Sequence, residues 1–158
     1  MGLNGVVRCR CIQDGLAKPH PFPERLALDD TVDPFLTGDP TLDDLLVHDR
    51  WFDESCPHQG YIVQERLGNI RAIAHVRELL GSLESEPTPR FPILLGKVVY
   101  NGVHCGDHLS SDGSAELLKE VEQASRFRNH WDVSDSEFFA GLRRLCEASI
   151  ATRNPIVF

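Results

Sequence analysis

The sequence predicts one α+β domain of residues 1–158, with about four helices packed on a small sheet. Its length is that of a single domain, and 41% hydrophobic with 25% charged residues is ordinary for a chain that buries a core. Apolar residues recur at helical spacing in several segments, whereas the first segment of the chain has an extended pattern. The domain is therefore expected to fold without disulfides.

Three segments predict strands. Residues 3–12 form an extended pattern around Val6 and Val7, which predicts a strand. Asp14 and Gly15 are typical turn residues and are expected to end it. Residues 61–67 alternate in polarity and predict a short strand. The apolar tail 154–158 is expected to lie beside the first strand, because an apolar end must be held in place to be ordered.

The first two helices are predicted from capping residues. Asp39 is a suitable N-cap with Pro40 at the first helical position, and leucines follow at helical spacing. Asn69 is expected to cap a helix that ends near Gly81. The apolar run 91–100 fits either a buried helix or a buried strand, and Pro92 near its start favours the helix.

The last two helices are predicted downstream. Ser114 precedes apolar residues at helical spacing, so a helix is expected to start there. Ser134 and Glu137 have the spacing of a capping box, which predicts the start of a second helix.

Nearly all of the net charge comes from one segment. Residues 29–54 contain nine acids against Arg50 alone, a net charge of −8 that equals the value for the whole chain. Such a surface would attract a basic protein, although it could equally be a solvated face. Nucleic acid is not an expected partner, because no basic stripe is present. The candidate partner-binding residues are Asp29, Asp30, Asp33, Asp39, Asp43, Asp44, Asp49, Trp51, Asp53 and Glu54.

Three short motifs pair soft metal ligands. They are Cys9 with Cys11, Cys56 with His58, and His104 with Cys105. Pairs at such spacing suit a structural zinc site, if the three converge in space. The alternative is that the cysteines are small buried hydrophobes and the histidines form loop hydrogen bonds. The fold requires no cofactor, and zinc is the one that these residues could hold.

A catalytic alternative uses overlapping residues. Cys105 could be a nucleophile, with His104, His108 or His58 as the base and Asp107 as the group that orients it, as in a small thiol- or metal-dependent enzyme centred on Cys105, His104 and Asp107. Adjacency in sequence does not supply the required geometry, since the members of such triads usually come from distant segments. Cys146 lies on an apolar helix face and is expected in the core.

Four segments together resemble a family of small uncharacterised bacterial proteins. They are MGLNGVVRCRC at 1–11, KPHPFP at 18–23, CPH at 56–58 and YNGVHCGD at 100–107. Members of that family are similar to the small acidic immunity proteins that neutralise interbacterial toxins. The resemblance implies a non-enzymatic binding protein and assigns no catalytic residue.

The sequence thus favours a binding protein, with a bacterial toxin that has a basic active-site surface as its expected partner. In this interpretation Trp51 or Phe52 anchors the contact and the Cys/His pairs are structural. No apolar run is long enough to cross a bilayer and no secretion signal is evident, so a cytoplasmic location without membrane contact is expected.

Overall fold

A computed structural model describes residues 2–84, 90–101 and 107–158, without the side chains of residues 128 and 130. It confirms the predicted α+β class. An antiparallel sheet has the strand order β4-β1-β6-β5 and consists of β1 (Gly2–Arg8), β4 (Tyr61–Asn69), β5 (His108–Leu109) and β6 (Ile156–Val157). A separate two-stranded ribbon joins β2 (Leu26–Leu28) to β3 (Pro34–Leu36).

The C-terminal strand pairs with the N-terminal one, as the sequence predicts. Val6 lies opposite Val157 and Val7 opposite Ile156, so the apolar tail fills the middle of the sheet. β1 therefore has neighbours on both sides, with β4 along its other edge. One face of β1 is buried through Leu3, Gly5 and Val7, whereas Asn4 on the other face is exposed.

Four α-helices complete the domain: α1 (Leu42–Glu54), α2 (Ile70–Leu83), α3 (Ser111–Ala124) and α4 (Val133–Thr152). The main core lies where α2, α3 and α4 pack on the sheet. Its largest fully buried side chains are Phe91, Leu3, Ile73, Leu80, Leu94, Leu117, Leu142, Leu145, Ile156, Val7, Val76 and Val98. Helix α1 contributes no residue to this core, so other contacts must attach it to the domain.

The predicted start of α1 is wrong by two residues. Thr41, not Asp39, is the N-cap: its hydroxyl accepts from the Asp44 amide, and the Asp44 carboxylate accepts from the Thr41 amide. This reciprocal pair gives hydrogen-bond acceptors to two backbone amides at the helix start, whereas a start at Asp39 and Pro40 lacks the reciprocal bond. The predicted cap of α2 is confirmed, because the Asn69 side chain accepts from the Ala72 amide.

The starts of α3 and α4, unlike that of α1, lie upstream of their predicted positions. Helix α3 begins after Ser110, whose hydroxyl accepts from the Gly113 amide. Helix α4 begins after Asp132, which forms a capping box with Asp135 instead of the predicted Ser134 box. In both cases an earlier oxygen bonds the free amides, so the helix gains residues at its start.

The apolar run 91–100 is helical, in agreement with the favoured alternative. Leu94–Val98 forms a π-helical turn, and the buried Glu120 carboxylate accepts from the amides of Ile93 and Leu94 at its start. Burial raises the pKa of Glu120, although these amides act in the opposite direction. None of the helices in the described ranges has the length and apolarity to cross a membrane.

Candidate metal centre

Four of the predicted metal ligands converge at one end of the sheet. The ligand atoms of Cys9, Cys11, Cys56 and His58 all lie within 4.8 Å of one another. Cys9 Sγ is 3.6 Å from Cys56 Sγ, and Cys11 Sγ is 3.2 Å from His58 Nδ1. Two chain segments, 47 residues apart, thus each present two soft donors to the same point.

The spacing of these atoms fits a tetrahedral Zn²⁺ site. With Zn–S bonds of about 2.3 Å and a Zn–N bond of about 2.0 Å, a tetrahedron has sulfur–sulfur edges of about 3.8 Å and sulfur–nitrogen edges of about 3.5 Å. The Cys9–Cys56 and Cys11–His58 contacts are a few tenths of an ångström shorter than these edges, and no separation among the four atoms exceeds 4.8 Å. Rotation of the side chains would bring the four atoms to the edge lengths of a tetrahedron. Three thiols and one imidazole are a common donor set for structural zinc.

Strand pairing brings the two segments together. Arg8, the last residue of β1, lies opposite Tyr61, the first residue of β4, and the Cys9 amide donates to the Gly60 carbonyl at 3.0 Å. The residues just beyond β1 and just before β4 must therefore be neighbours. Cys9 and Cys11 follow the first strand, and Cys56 and His58 precede the second.

The first strand is shorter than the sequence predicts, and this matters for the site. It ends at Arg8 instead of near residue 12, because the chain folds into a turn in which Asp14 and Leu16 amides donate to the carbonyls of Arg10 and Cys11. In a regular strand, alternation would give Cys9 and Cys11 a common face and fix their spacing along it. In the turn, their sulfurs instead approach a single point.

The second ligand pair lies in a tight turn between α1 and β4. Gln59 and Gly60 both have positive φ, 51° and 81°, so the chain reverses within two residues. A Cβ on Gly60 would lie 2.1 Å from the ring of Phe52, so glycine is required both for its backbone conformation and for space. The reversal directs the chain from this ligand pair into β4.

The surroundings of Cys56 favour a thiolate. Burial raises the pKa of this thiol, but donors outweigh burial and lower it to about 6: these are the backbone amides of Gly60 and His58 and the thiols of Cys9 and Cys11. Amide N–H groups that donate to a cysteine sulfur stabilise the negative charge of its thiolate, both when the thiolate is free and when it binds a metal. These donors favour the thiolate form of Cys56.

The other two thiols have the opposite behaviour. Burial raises the pKa of Cys11 to about 12, and its contacts with Cys9 and Cys56 add to this shift. Burial likewise raises the pKa of Cys9, although the Cys11 amide acts against it. Burial and the contacts with Cys56 thus disfavour a negative charge on Cys9 and Cys11. A divalent cation would allow all three to ionise, because its charge offsets their mutual repulsion.

The position of the thiols argues against a role as ordinary core residues. Cys9, Cys11 and Cys56 are buried in a small cluster of their own, against the partly buried Ala17 and apart from the main core. Cys146 shows the contrast, since it is fully buried among core residues and burial raises its pKa to about 12. The prediction that Cys146 belongs to the core is confirmed.

The third predicted ligand pair, His104 and Cys105, lies outside the described residues. Asp107, the orienting residue of the catalytic alternative, accepts a hydrogen bond from the Tyr100 hydroxyl. Tyr100 and Asp107 line a cavity of about 520 Å³. Cys9, Cys11, Cys56 and His58 alone would supply the four ligands of a tetrahedral zinc, without His104 or Cys105.

Asn154 supports the centre from a distant part of the chain. It is 1% exposed, and its amide donates to the carbonyls of Arg8 and Cys9 at 3.0 and 3.3 Å. It also exchanges hydrogen bonds with Gln13 in the same turn. Sequence reasoning missed this residue, since nothing in the motif Asn154-Pro155 indicates which carbonyls it would reach.

The acidic segment 29–54 directly precedes Cys56, and its acids fall into two groups. Asp33 pairs with Arg8 and Asp44 with Arg25, while Asp29 accepts from Thr31. These acids organise local structure. The remaining carboxylates are exposed and form no ion pair within the described ranges: Asp30, Asp39, Asp43, Asp49, Asp53 and Glu54.

Trp51 does not lie on the acidic surface, in contrast to its predicted role as an anchor. It is 8% exposed, and its indole N–H donates to the Lys18 carbonyl at 2.9 Å. It packs edge-on against His20, which is 3.1 Å from His48 through ring nitrogens. The tryptophan therefore holds α1 against the Pro-rich loop, and Phe52 is half-buried beside Gly60.

A second group of potential metal donors has a simpler explanation. His75, Asp132 and Asp135 lie close together, but the two carboxylates accept the capping bonds of α4. His75 is largely exposed and its Nε2 is 3.7 Å from Asp135. This cluster contains no unused buried donor, so it gives no reason to expect a cation.

Comparison with known proteins adds no relative to this description. No family model, curated protein or solved structure matches the chain. The function is therefore argued from the geometry of these residues.

Proposed function

We propose that this chain is a non-enzymatic zinc-binding protein in which Cys9, Cys11, Cys56 and His58 hold a structural Zn²⁺. The convergence of these four ligand atoms within 4.8 Å carries the proposal. Catalytic zinc sites usually have three protein ligands and keep a fourth position for water or substrate. Four protein ligands fill the tetrahedron, so the ion would stabilise structure and would not activate a nucleophile.

The ion would fasten α1 and the acidic segment to the sheet. Cys56 lies two residues after the end of α1, and Cys9 directly follows β1. Apart from the ring cluster around Trp51, α1 is largely exposed. A bond network from Zn²⁺ to both segments would restrict the motion of the segment in the same way as a covalent crosslink. The thiol cluster alone, with Ala17 as its apolar neighbour, buries too little surface to do this.

Metal content and ligand variants test the proposal. The purified protein is expected to hold about one zinc per chain by elemental mass spectrometry. His58→Ala should lower zinc affinity by at least about tenfold, whereas His58→Cys should retain the ion, because four thiolates also form a stable site.

Cys105→Ser is the matched control, since it removes a thiol of the other predicted pair. It should leave about one zinc per chain. Loss of zinc in Cys105→Ser but not in His58→Ala would show that the ligand set is different. A metal-free protein with ordinary thiol reactivity at Cys9, Cys11 and Cys56 would refute the proposal.

The broader role that we propose is binding of a protein partner, with toxin neutralisation as the specific candidate. The unpaired carboxylates between Asp30 and Glu54 support it, because an exposed block of one sign of charge accelerates association with a basic surface. The resemblance of the sequence to immunity proteins points to the same role. Reversal of charge at Asp43 and Asp49 would be expected to slow association with such a partner and to weaken its salt dependence.

A further inference from the structure

Helix α1 leaves most of its apolar side chains in water. Leu42 is 72% exposed and Leu46 is 56% exposed, and Leu45 and Val47 are also exposed. Only His48 and Trp51 of this helix are buried. An amphipathic surface helix normally turns its leucines toward the core, so this orientation is the reverse of the usual one.

The exposed leucines form a continuous stripe. Leu42, Leu45 and Leu46 have i, i+3, i+4 spacing, which puts them on one face over the first turns of α1. Phe35 of β3 is 44% exposed and lines a shallow cavity of about 420 Å³ together with Leu45. The stripe therefore continues from the helix onto the ribbon, as an apolar surface that a single partner element could cover.

Charge defines which partner fits. Asp39 and Asp43 flank the stripe at its start, and Asp49 and Asp53 continue the same face beyond Leu46. These four carboxylates form no ion pair within the described part of the chain. A second copy of this chain would bring two acidic faces together, so like charge disfavours a dimer through α1 and favours a basic partner.

We propose that the exposed face of α1 binds a basic amphipathic helix of a protein partner. The leucines of the partner would cover Leu42, Leu45 and Leu46, and its Lys or Arg residues would pair with Asp43 and Asp49. This arrangement joins helix-on-groove packing to charge complementarity. The inference rests on the proposed binding role, and it specifies the surface and the chemistry of the ligand.

A synthetic peptide tests this inference directly. The probe is a fluorescein-labelled helical peptide with leucines on one face and lysines elsewhere, titrated with zinc-loaded protein and followed by fluorescence anisotropy. Leu42→Ser/Leu46→Ser should weaken binding by at least about tenfold, the usual loss for central apolar contacts. Asp43→Asn/Asp49→Asn should also weaken it, and should flatten its dependence on salt.

The matched control removes an equivalent pair from another helix. Val133 is 77% exposed and Glu137 is exposed one turn later on α4, so Val133→Ser/Glu137→Gln alters similar chemistry away from α1. It should leave peptide affinity unchanged. Equal affinity for all three variant pairs, or no binding by the unmodified protein, would overturn the inference, as would a dimer that the leucine substitutions dissociate.

Zinc content measured on the same samples separates this result from the proposed metal centre. A protein with about one zinc per chain that fails to bind the peptide would reject the docking face and leave the metal centre standing. A metal-free protein that binds the peptide through α1 would reject the metal centre and leave the docking face standing. Substitutions in the stripe are not expected to change metal content, because none of these side chains is a ligand.

Discussion

Cys56→Ser is expected to abolish stoichiometric zinc binding and to lower the free energy of unfolding by about 4 kcal/mol or more, as is usual for loss of a structural metal. Burial raises the pKa of the Cys56 thiol, but the backbone amides of Gly60 and His58 outweigh it and, with the neighbouring thiols, lower the pKa to about 6. A serine hydroxyl stays protonated at neutral pH and is a poor zinc ligand. The remaining three ligands would bind the ion too weakly to retain it.

The loss of order should be local before it is global. Hydrogen exchange is expected to accelerate in residues 9–17 and 42–60, because these segments meet at the centre. Amides of α3 and α4 should stay protected, since the main core does not include Cys9, Cys11 or Cys56. Cys146→Ala serves as the control for removal of a buried thiol: it should keep zinc and cost about 1 kcal/mol. Unchanged zinc content in Cys56→Ser would contradict this account.

Asn154→Asp is expected to lower the free energy of unfolding by about 3 kcal/mol or more. The native amide donates to the buried carbonyls of Arg8 and Cys9. A carboxylate would leave both carbonyls without a donor and place a negative charge against them. Zinc affinity should fall in the same variant, because the turn that presents Cys9 and Cys11 loses its support. Urea denaturation and competition with a chelator measure the two effects.

Gln13→Ala is the matched control for Asn154→Asp. It removes one hydrogen-bond partner of Asn154 at an exposed position and leaves both carbonyl contacts intact. Its expected cost is below about 1 kcal/mol. If Asn154→Asp cost no more than Gln13→Ala, the asparagine could not be the residue that holds the ligand turn to the C-terminal strand.

Local patterns predicted the elements of this fold better than their ends. The apolar spacing of residues 70–80 and the Asn69 cap led to the correct helix. Helices α1, α3 and α4 each begin upstream or downstream of the predicted cap, because several Ser, Thr and Asp residues compete near each start. Which oxygen reaches the free amides depends on the path of the preceding loop, and the sequence does not specify that path.

The sequence predicts the ligand pairs of the candidate metal centre, but it does not predict that two of these pairs lie close together in space. Cys9 with Cys11 and Cys56 with His58 are visible as motifs, whereas their convergence depends on the pairing of β1 with β4 across more than fifty residues. The support from Asn154 depends on the same long-range topology. The prediction for Trp51 failed for a related reason: an aromatic residue among acids can face either way on a helix, and here it faces the Pro-rich loop.

The coordination of zinc in the purified protein tests the central claim most directly. X-ray absorption at the zinc edge is expected to show three sulfur neighbours at about 2.3 Å and one nitrogen neighbour at about 2.0 Å. That shell would match Cys9, Cys11, Cys56 and His58. A shell of oxygen and nitrogen alone would place any bound zinc elsewhere, and would contradict the assignment of these four residues as a structural centre.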